Sequence, residues 1–204
     1  MGGNIVMYTK YKNFIDKYID ISLQDWEIYK SKIKIEYYKK GQIIHHAGEI
    51  CNKIGFINSG LARVFVLNND GKEYTWNILF HDEYSKTNNL IVVDYYSFLS
   101  RKESIMSIEI LEDSEMLMLN YEDMQFLHKH VKSEAKMSRI MTEIAYITLY
   151  KKLMDRQLKT SEDRFIEFMQ TTPYLLDKVP QYHIATYLGM TPQYLSQLKK
   201  EYQY

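Results

Sequence analysis

The sequence predicts an α+β protein, with a small antiparallel β barrel or sandwich from about residue 33 to about residue 120 and helices on both sides of it. Three observations carry this. The apolar period is two between Ile33 and Asn120, an Asp-Gly pair joins two of the alternating runs, and after Asn120 the spacing turns to three and four and stays there.

Residues 8 to 31 have helical spacing: Phe14, Ile15, Tyr18 and Ile19 form one apolar set, Leu23, Trp26 and Tyr29 a second, and Ser22 between them is a plausible N-cap. The β-rich runs then follow as KIEYY, QIIHH, KIGFIN, LARVFVL, EYTWNIL, SIMSIEI and EMLML. Gly41, Gly48, Gly55 and Gly60 punctuate the earlier ones, and Asp70-Gly71 makes Leu61 to Leu79 one hairpin.

From Lys132 a long helix carries Met137, Ile140, Ile144, Ile147, Met154 and Leu158 as a coiled-coil seam broken at Lys151, with a second stripe at Met141, Ala145, Leu149 and Leu153. Two apolar faces need two covering surfaces. A parallel homodimer through this helix supplies the second; the alternative is one helix buried between two domains of a single chain. Thr160 caps the next helix, whose core face is Phe165, Ile166, Phe168 and Met169, and Pro173 closes it.

The stretch from Val179 to Tyr204 reads as two short helices and a tight turn. Ala185 stands where the helices cross, Gly189 supplies the turn, and Thr191-Pro192 is an N-cap followed by a first-turn proline. Ile184, Leu188, Met190, Leu195 and Leu198 seal the pair, while Gln193, Ser196, Gln197 and Lys200 point away. Two glutamines one turn apart suit adenine edges, Lys199 and Lys200 suit phosphates, and Thr191 with the free first-turn amides suits a phosphate as well. The candidate DNA-contacting set is Gln181, Tyr182, Thr191, Pro192, Gln193, Tyr194, Ser196, Gln197, Lys199 and Lys200. An ordinary helical hairpin is the alternative.

With 204 residues, 46% of them hydrophobic, the chain can fill a real core. Its formal charge is zero, yet residues 128–204 are net positive by four, which agrees with a DNA-binding end. A single cysteine, Cys51, excludes an internal disulfide and a thiolate cluster site, and fits the cytoplasm. No apolar run reaches membrane length, and the stretch MGGNIVMYTK lacks the marks of an export signal.

His45, His46 and Glu49 raise a cupin-type metalloenzyme, but adjacent strand residues face opposite ways, so the two histidines do not converge. His81, His128, His130 and His183 are scattered. No catalytic grouping, metal site or cofactor site is expected.

The order of strands, long helix and terminal motif resembles the Crp/Fnr family of bacterial transcription regulators. The resemblance rests on KKGQIIHHAGEICNKIGFINSGLARVFVLNNDGKEYTW and VPQYHIATYLGMTPQYLSQLKK. It implies an N-terminal antiparallel β-roll (a jelly-roll or double-stranded β-helix) flanked by helices, a long dimerisation helix and a C-terminal helical helix-turn-helix domain. The corresponding limits are a cyclic-nucleotide-binding-like sensor at 1–131, the dimerisation helix at 132–159 and the DNA-binding domain at 160–204. Implied partners are a near-palindromic DNA site, a second copy of the chain and an unidentified small-molecule effector, with no membrane.

Where nucleotide-binding members carry Gly-Glu and a later Arg before Ser or Thr, this chain reads IVVDYYSFLSRKES. Val92 to Asp94 replaces the Gly-Glu pair, and Glu103 stands before Ser104 in place of the Arg. A carboxylate repels a phosphate, so no tight binding of cyclic AMP is expected. Asp94, Tyr95, Arg101, Lys102, Glu103 and Ser104 remain the candidate effector pocket. The sequence ends soon after the second helix of the motif, without the wing of many relatives, so the dimer is expected either to compensate by other contacts or to bind DNA more weakly and with a smaller salt dependence. A β-roll that binds a ligand or partner without DNA is the remaining alternative.

Overall fold

A computed structural model describes residues 3–203, with side chains from residue 8. Met1 and Gly2, which open the stretch read for an export signal, and Tyr204, last of the terminal motif, lie outside the described residues.

Two helices lead, α1 (Gly3–Asp16) and α2 (Leu23–Lys32). The Ser22 hydroxyl accepts from the Asp25 N–H at 3.0 Å, so the cap forms where the sequence places it. Phe14, Ile15, Ile19, Trp26 and Tyr29 then pack on Phe56, Leu117 and Leu119 of the sheet.

The sheet holds β1 (Lys34–Tyr38), β2 (Ile43–His45), β3 (Lys53–Leu67), β4 (Glu73–Phe80), β5 (Ile91–Val92) and β6 (Met106–Asn120). Its order is β1-β6-β3-β4, with β2 beside β6 and β5 beside β3, and all these pairings are antiparallel. The expected hairpin is β3–β4. Asn68 Oδ1 accepts from the N–H groups of Asp70 and Lys72 and locks its turn.

The sequence suggests breaks that the fold does not make. KIGFIN and LARVFVL are one strand, β3, and SIMSIEI and EMLML are one strand, β6. The reason is that their turn residues bend the paired strands together instead of ending them. The β3–β6 register shifts three times between Ile57 and Ala62. Gly60 sits there at φ +95°, and a Cβ on it would come within 2.5 Å of the Asp113 carbonyl oxygen. The bend curls the sheet over an inner core that includes Ile57, Val64, Leu79, Ile108, Ile110 and Met116.

Two short helices, α3 (Thr87–Leu90) and α4 (Tyr95–Ser100), interrupt the strands. After β6 come α5 (Tyr121–His130), α6 (Glu134–Leu158), α7 (Ser161–Thr171), α8 (Leu175–Lys178), α9 (Gln181–Leu188) and α10 (Pro192–Glu201). Thr160 and Asp163 close a reciprocal capping box at the start of α7. None of the described helices is long and apolar enough to cross a membrane.

Packing crosses the limits expected at 131/132 and 159/160. Met137 of α6 belongs to the cluster beneath α1 and α2. Leu61, Ile78, Phe80 and Leu111 of the sheet share one core with Phe165, Leu175, Ile184 and Leu198.

The single seam expected along α6 divides in two. Met137 is 6% exposed and Ile140 packs on the same internal cluster, so both are covered within the chain. Ile144 and Met154 are half-buried, whereas Ile147 is 63% and Leu158 80% exposed. The continuous exposed apolar stripe is Tyr146, Leu149, Tyr150 and Leu153, at helical spacing. The period reveals an apolar face but not what covers it.

Candidate nucleic-acid interface and effector pocket

Glycine at 189 ends α9 in the left-handed region, φ 71°, and the Met190 N–H turns back to the Ala185 carbonyl at 2.9 Å. Thr191 then accepts from the Tyr194 N–H at 3.1 Å, with Pro192 in the first turn of α10. Ala185 is fully buried where the helices meet, and Ile184, Leu188, Leu195 and Leu198 close the core around it. Each such aliphatic side chain contributes about 1.5–3 kcal/mol by leaving water.

This geometry sorts the candidate contacts. Thr191, Gln193, Gln197 and Lys200 are exposed, and Gln197 Nε2 donates to Glu201 Oε1 at 2.8 Å. Gln181 Nε2 instead donates to the Pro192 carbonyl at 3.1 Å and to the Ser196 hydroxyl, so these two candidates stitch α9 to α10. Tyr182 turns toward the sheet, its hydroxyl 3.5 Å from the Glu73 carbonyl oxygen. Tyr194 packs on the helical core, and Lys199 is half-buried beside it.

Helix α9 is docked on β4. The Thr186 hydroxyl accepts from the Thr75 N–H at 3.2 Å, and His183 Nδ1 lies 3.7 Å from Glu73. Behind them Arg63, 2% exposed, sits between Glu109 at 2.6 Å and Glu73 at 2.7 Å and lies over the Phe65 ring at 4.1 Å. The Glu73 contact is an ion pair off the axis of the guanidinium N–H bonds. Burial first, then Arg63, pushes the His183 imidazole pKa down and favours its neutral form. Arg164 ties the domain together from below, donating to the Leu188 carbonyl at 2.8 Å and the Lys159 carbonyl at 2.7 Å. Sequence reasoning missed both arginines. A cation in the middle of LARVFVL is a signal for Arg63; Arg164 has none, because its acceptors are backbone carbonyls.

The six effector candidates do not enclose a pocket. Asp94 caps α4, accepting from the N–H groups of Tyr96 at 3.0 Å and Ser97 at 3.4 Å, and its second oxygen accepts from the Ser104 hydroxyl at 2.6 Å. Arg101 donates to the Cys51 carbonyl at 2.9 Å and stacks on Tyr121 at 3.9 Å. Lys102 and Glu103 are exposed. Asp94 and Tyr95 do border a cavity of about 940 Å³, but it extends away from the other four, between β4, α4, α6 and α7. Its walls include Val64, Trp76, Ile144 and Tyr187. Lys152 enters from α6 with its ammonium 4.0 Å over Trp76. Burial, then Arg156, pulls that ammonium down to about 7.

No three His, Cys, Asp or Glu side chains come together as a metal site among the described residues. His45 is buried and His46 exposed, on opposite sides of the chain.

Against known families, residues 35–130 match the model of the cyclic nucleotide-binding domain. That stretch of the chain is similar to the cyclic nucleotide-binding domain. Most of the chain's length aligns with solved structures at low identity. A protein described as a transcriptional regulator of the crp/fnr family from Eubacterium rectale aligns over 90% of this chain and 84% of its own, with a TM-score of 0.68 and 17% identity. FixK2 from Bradyrhizobium japonicum aligns over 84% of each chain, with a TM-score of 0.68 and 14% identity. The c-di-GMP-responsive regulator CLP of Xanthomonas campestris aligns over 89% of this chain and 92% of its own, with a TM-score of 0.62 and 14% identity. No curated protein matches by sequence. The matched residues lie between the N-terminal helices and α6.

Proposed function

We propose that the chain is a sequence-specific DNA-binding transcription regulator of the cytoplasm, with no enzymatic step, that acts as a homodimer and reads a near-palindrome. The observation that carries this is the outward face of α10. Gln193, Gln197 and Lys200 lie exposed on the side opposite its buried Leu195 and Leu198, and α10 is held at a fixed angle by the Gly189 turn. The exposed stripe of α6 supports the dimer, because an apolar face this regular has no other cover among the described residues. Two α10 helices then enter successive major grooves about 34 Å apart.

In this reading the effector lies in the cavity between the roll and α6. Cyclic AMP is not that effector. The amides of Tyr96 and Ser97, at the head of α4, already hold the Asp94 carboxylate, which would repel a phosphate. The docking of α9 on β4 ties the DNA reader to the roll, so that a change in the cavity walls reaches α10 through one shared core.

The test is binding of the full-length protein to a duplex selected from a random library, repeated with Gln193→Ala and Gln197→Ala. Each substitution is expected to relax preference at one base step by about 1–3 kcal/mol while leaving nonspecific affinity in place. Unchanged sequence preference in both variants removes the glutamines from the role.

A further inference from the structure

A second cavity, of about 300 Å³, lies between the N-terminal helices, the outer face of the sheet and the start of α6. Its wall is apolar and rich in aromatic rings, with Tyr11, Tyr29, Phe56, Tyr95 and Phe98 among the lining side chains. One acid faces into this wall. Glu134, the first residue of α6, is 2% exposed and lines the cavity. Its carboxylate accepts from the Ser138 hydroxyl at 2.8 Å. No lysine or arginine lines the cavity. The base nearest the carboxylate is His128, 3.4 Å away, and burial lowers the pKa of that imidazole, so it is a poor permanent cation.

A buried carboxylate without a fixed cation is costly, and it is relieved by a cation that arrives with its own apolar body. Aromatic rings around it add attraction for the same charge through their faces. A further polar group is unsatisfied in the wall: the Tyr29 hydroxyl is buried and has no hydrogen-bond partner among the described residues. Burial holds the Glu134 carboxyl up, at about 7, the value of an acid that a cationic partner would ionise. The cavity is at the small end of the range for ligand sites, enough for about a dozen non-hydrogen atoms.

We propose that this cavity binds a small arylalkyl amine, with its ammonium on Glu134 and its ring among the aromatic side chains. The site shares Ile91, Tyr95, Leu99, Met141 and Thr142 with the larger cavity beside Trp76, but Glu134 lines only the smaller one, and the assignment does not depend on DNA binding by α10.

Calorimetry on the full-length protein with tryptamine as the probe, and with 3-(indol-3-yl)propionate as the matched acid, tests it. Tryptamine is expected to bind with submillimolar affinity and the acid at least about tenfold more weakly, since charge complementarity decides between them. Glu134→Gln should weaken tryptamine by about tenfold or more and narrow its advantage over the acid. Gln125 borders this cavity and not the larger one, and it is half-exposed, so Gln125→Trp should block the probe without disturbing Glu134. Equal affinity for amine and acid, tryptamine binding that survives Gln125→Trp, or no heat from tryptamine at about 10 mM would each overturn the assignment.

Discussion

The apolar face of the first two turns of α6, from Glu134 to Met141, is covered by the rest of the chain, whereas from Tyr146 onward the same helix turns large apolar side chains to solvent. Met137 is 6% exposed; Tyr146 is 68% and Leu153 54%. Each half also buries an ionisable group, an acid at Glu134 and a base at Lys152, and both are shifted to about 7 from opposite directions. The contrast teaches that one unbroken helical period holds two different jobs. The first half packs the helix on the N-terminal helices and the sheet. The second leaves Tyr146, Leu149, Tyr150 and Leu153 uncovered among the described residues.

Breaking the exposed half should have the largest effect. Leu149→Asp combined with Leu153→Asp places two charges in the proposed interface and is expected to raise the dimer dissociation constant at least about 1,000-fold. Sedimentation would then show half the wild-type mass, with the helical circular dichroism retained. A wild-type mass already equal to one chain removes the dimer.

Breaking the covered half should act on stability instead. Met137→Ala opens a cavity under α1 and α2 and is expected to cost about 2–4 kcal/mol by denaturant unfolding, with the association state unchanged. A loss of mass without a loss of stability would reverse the roles assigned to the two halves.

The smallest expected effect sharpens the same contrast through pH. The Glu134 carboxyl is raised in the folded state, so between about 4.3 and about 7 the folded protein holds a proton that the unfolded chain has released. The contribution of this group is therefore full at acid pH and lost as pH rises through that window, by roughly 1–3 kcal/mol. Glu134→Gln should flatten that part of the stability profile. An unchanged slope would mean that water reaches the carboxylate.

Much of the fold was legible because local chemistry decides it. Period-two runs gave the strands, Asp70-Gly71 the hairpin, Ser22 and Thr160 the caps, and Gly189 with Thr191-Pro192 the turn of the terminal pair. The breaks proposed inside β3 and β6 were illegible, because Gly60 and the Asp113–Ser114 step look like turn ends until the opposing strand is known. The candidate site fared unevenly for the same reason. Gln193, Gln197 and Lys200 follow from helical spacing alone, but the Gln181–Ser196 and Asp94–Ser104 hydrogen bonds need tertiary distances. Nothing in the sequence marks Lys152, since only the approach of Trp76 from β4 sets it apart.

The most direct test of the central claim is selection of duplexes from a random library by the purified full-length protein, with affinity on the selected site read at two salt concentrations. A symmetric reader built on α6 and α10 predicts a near-palindrome with half-sites about one helical turn apart, bound more weakly at the higher salt. A lone half-site, or no enriched sequence at all, would contradict it.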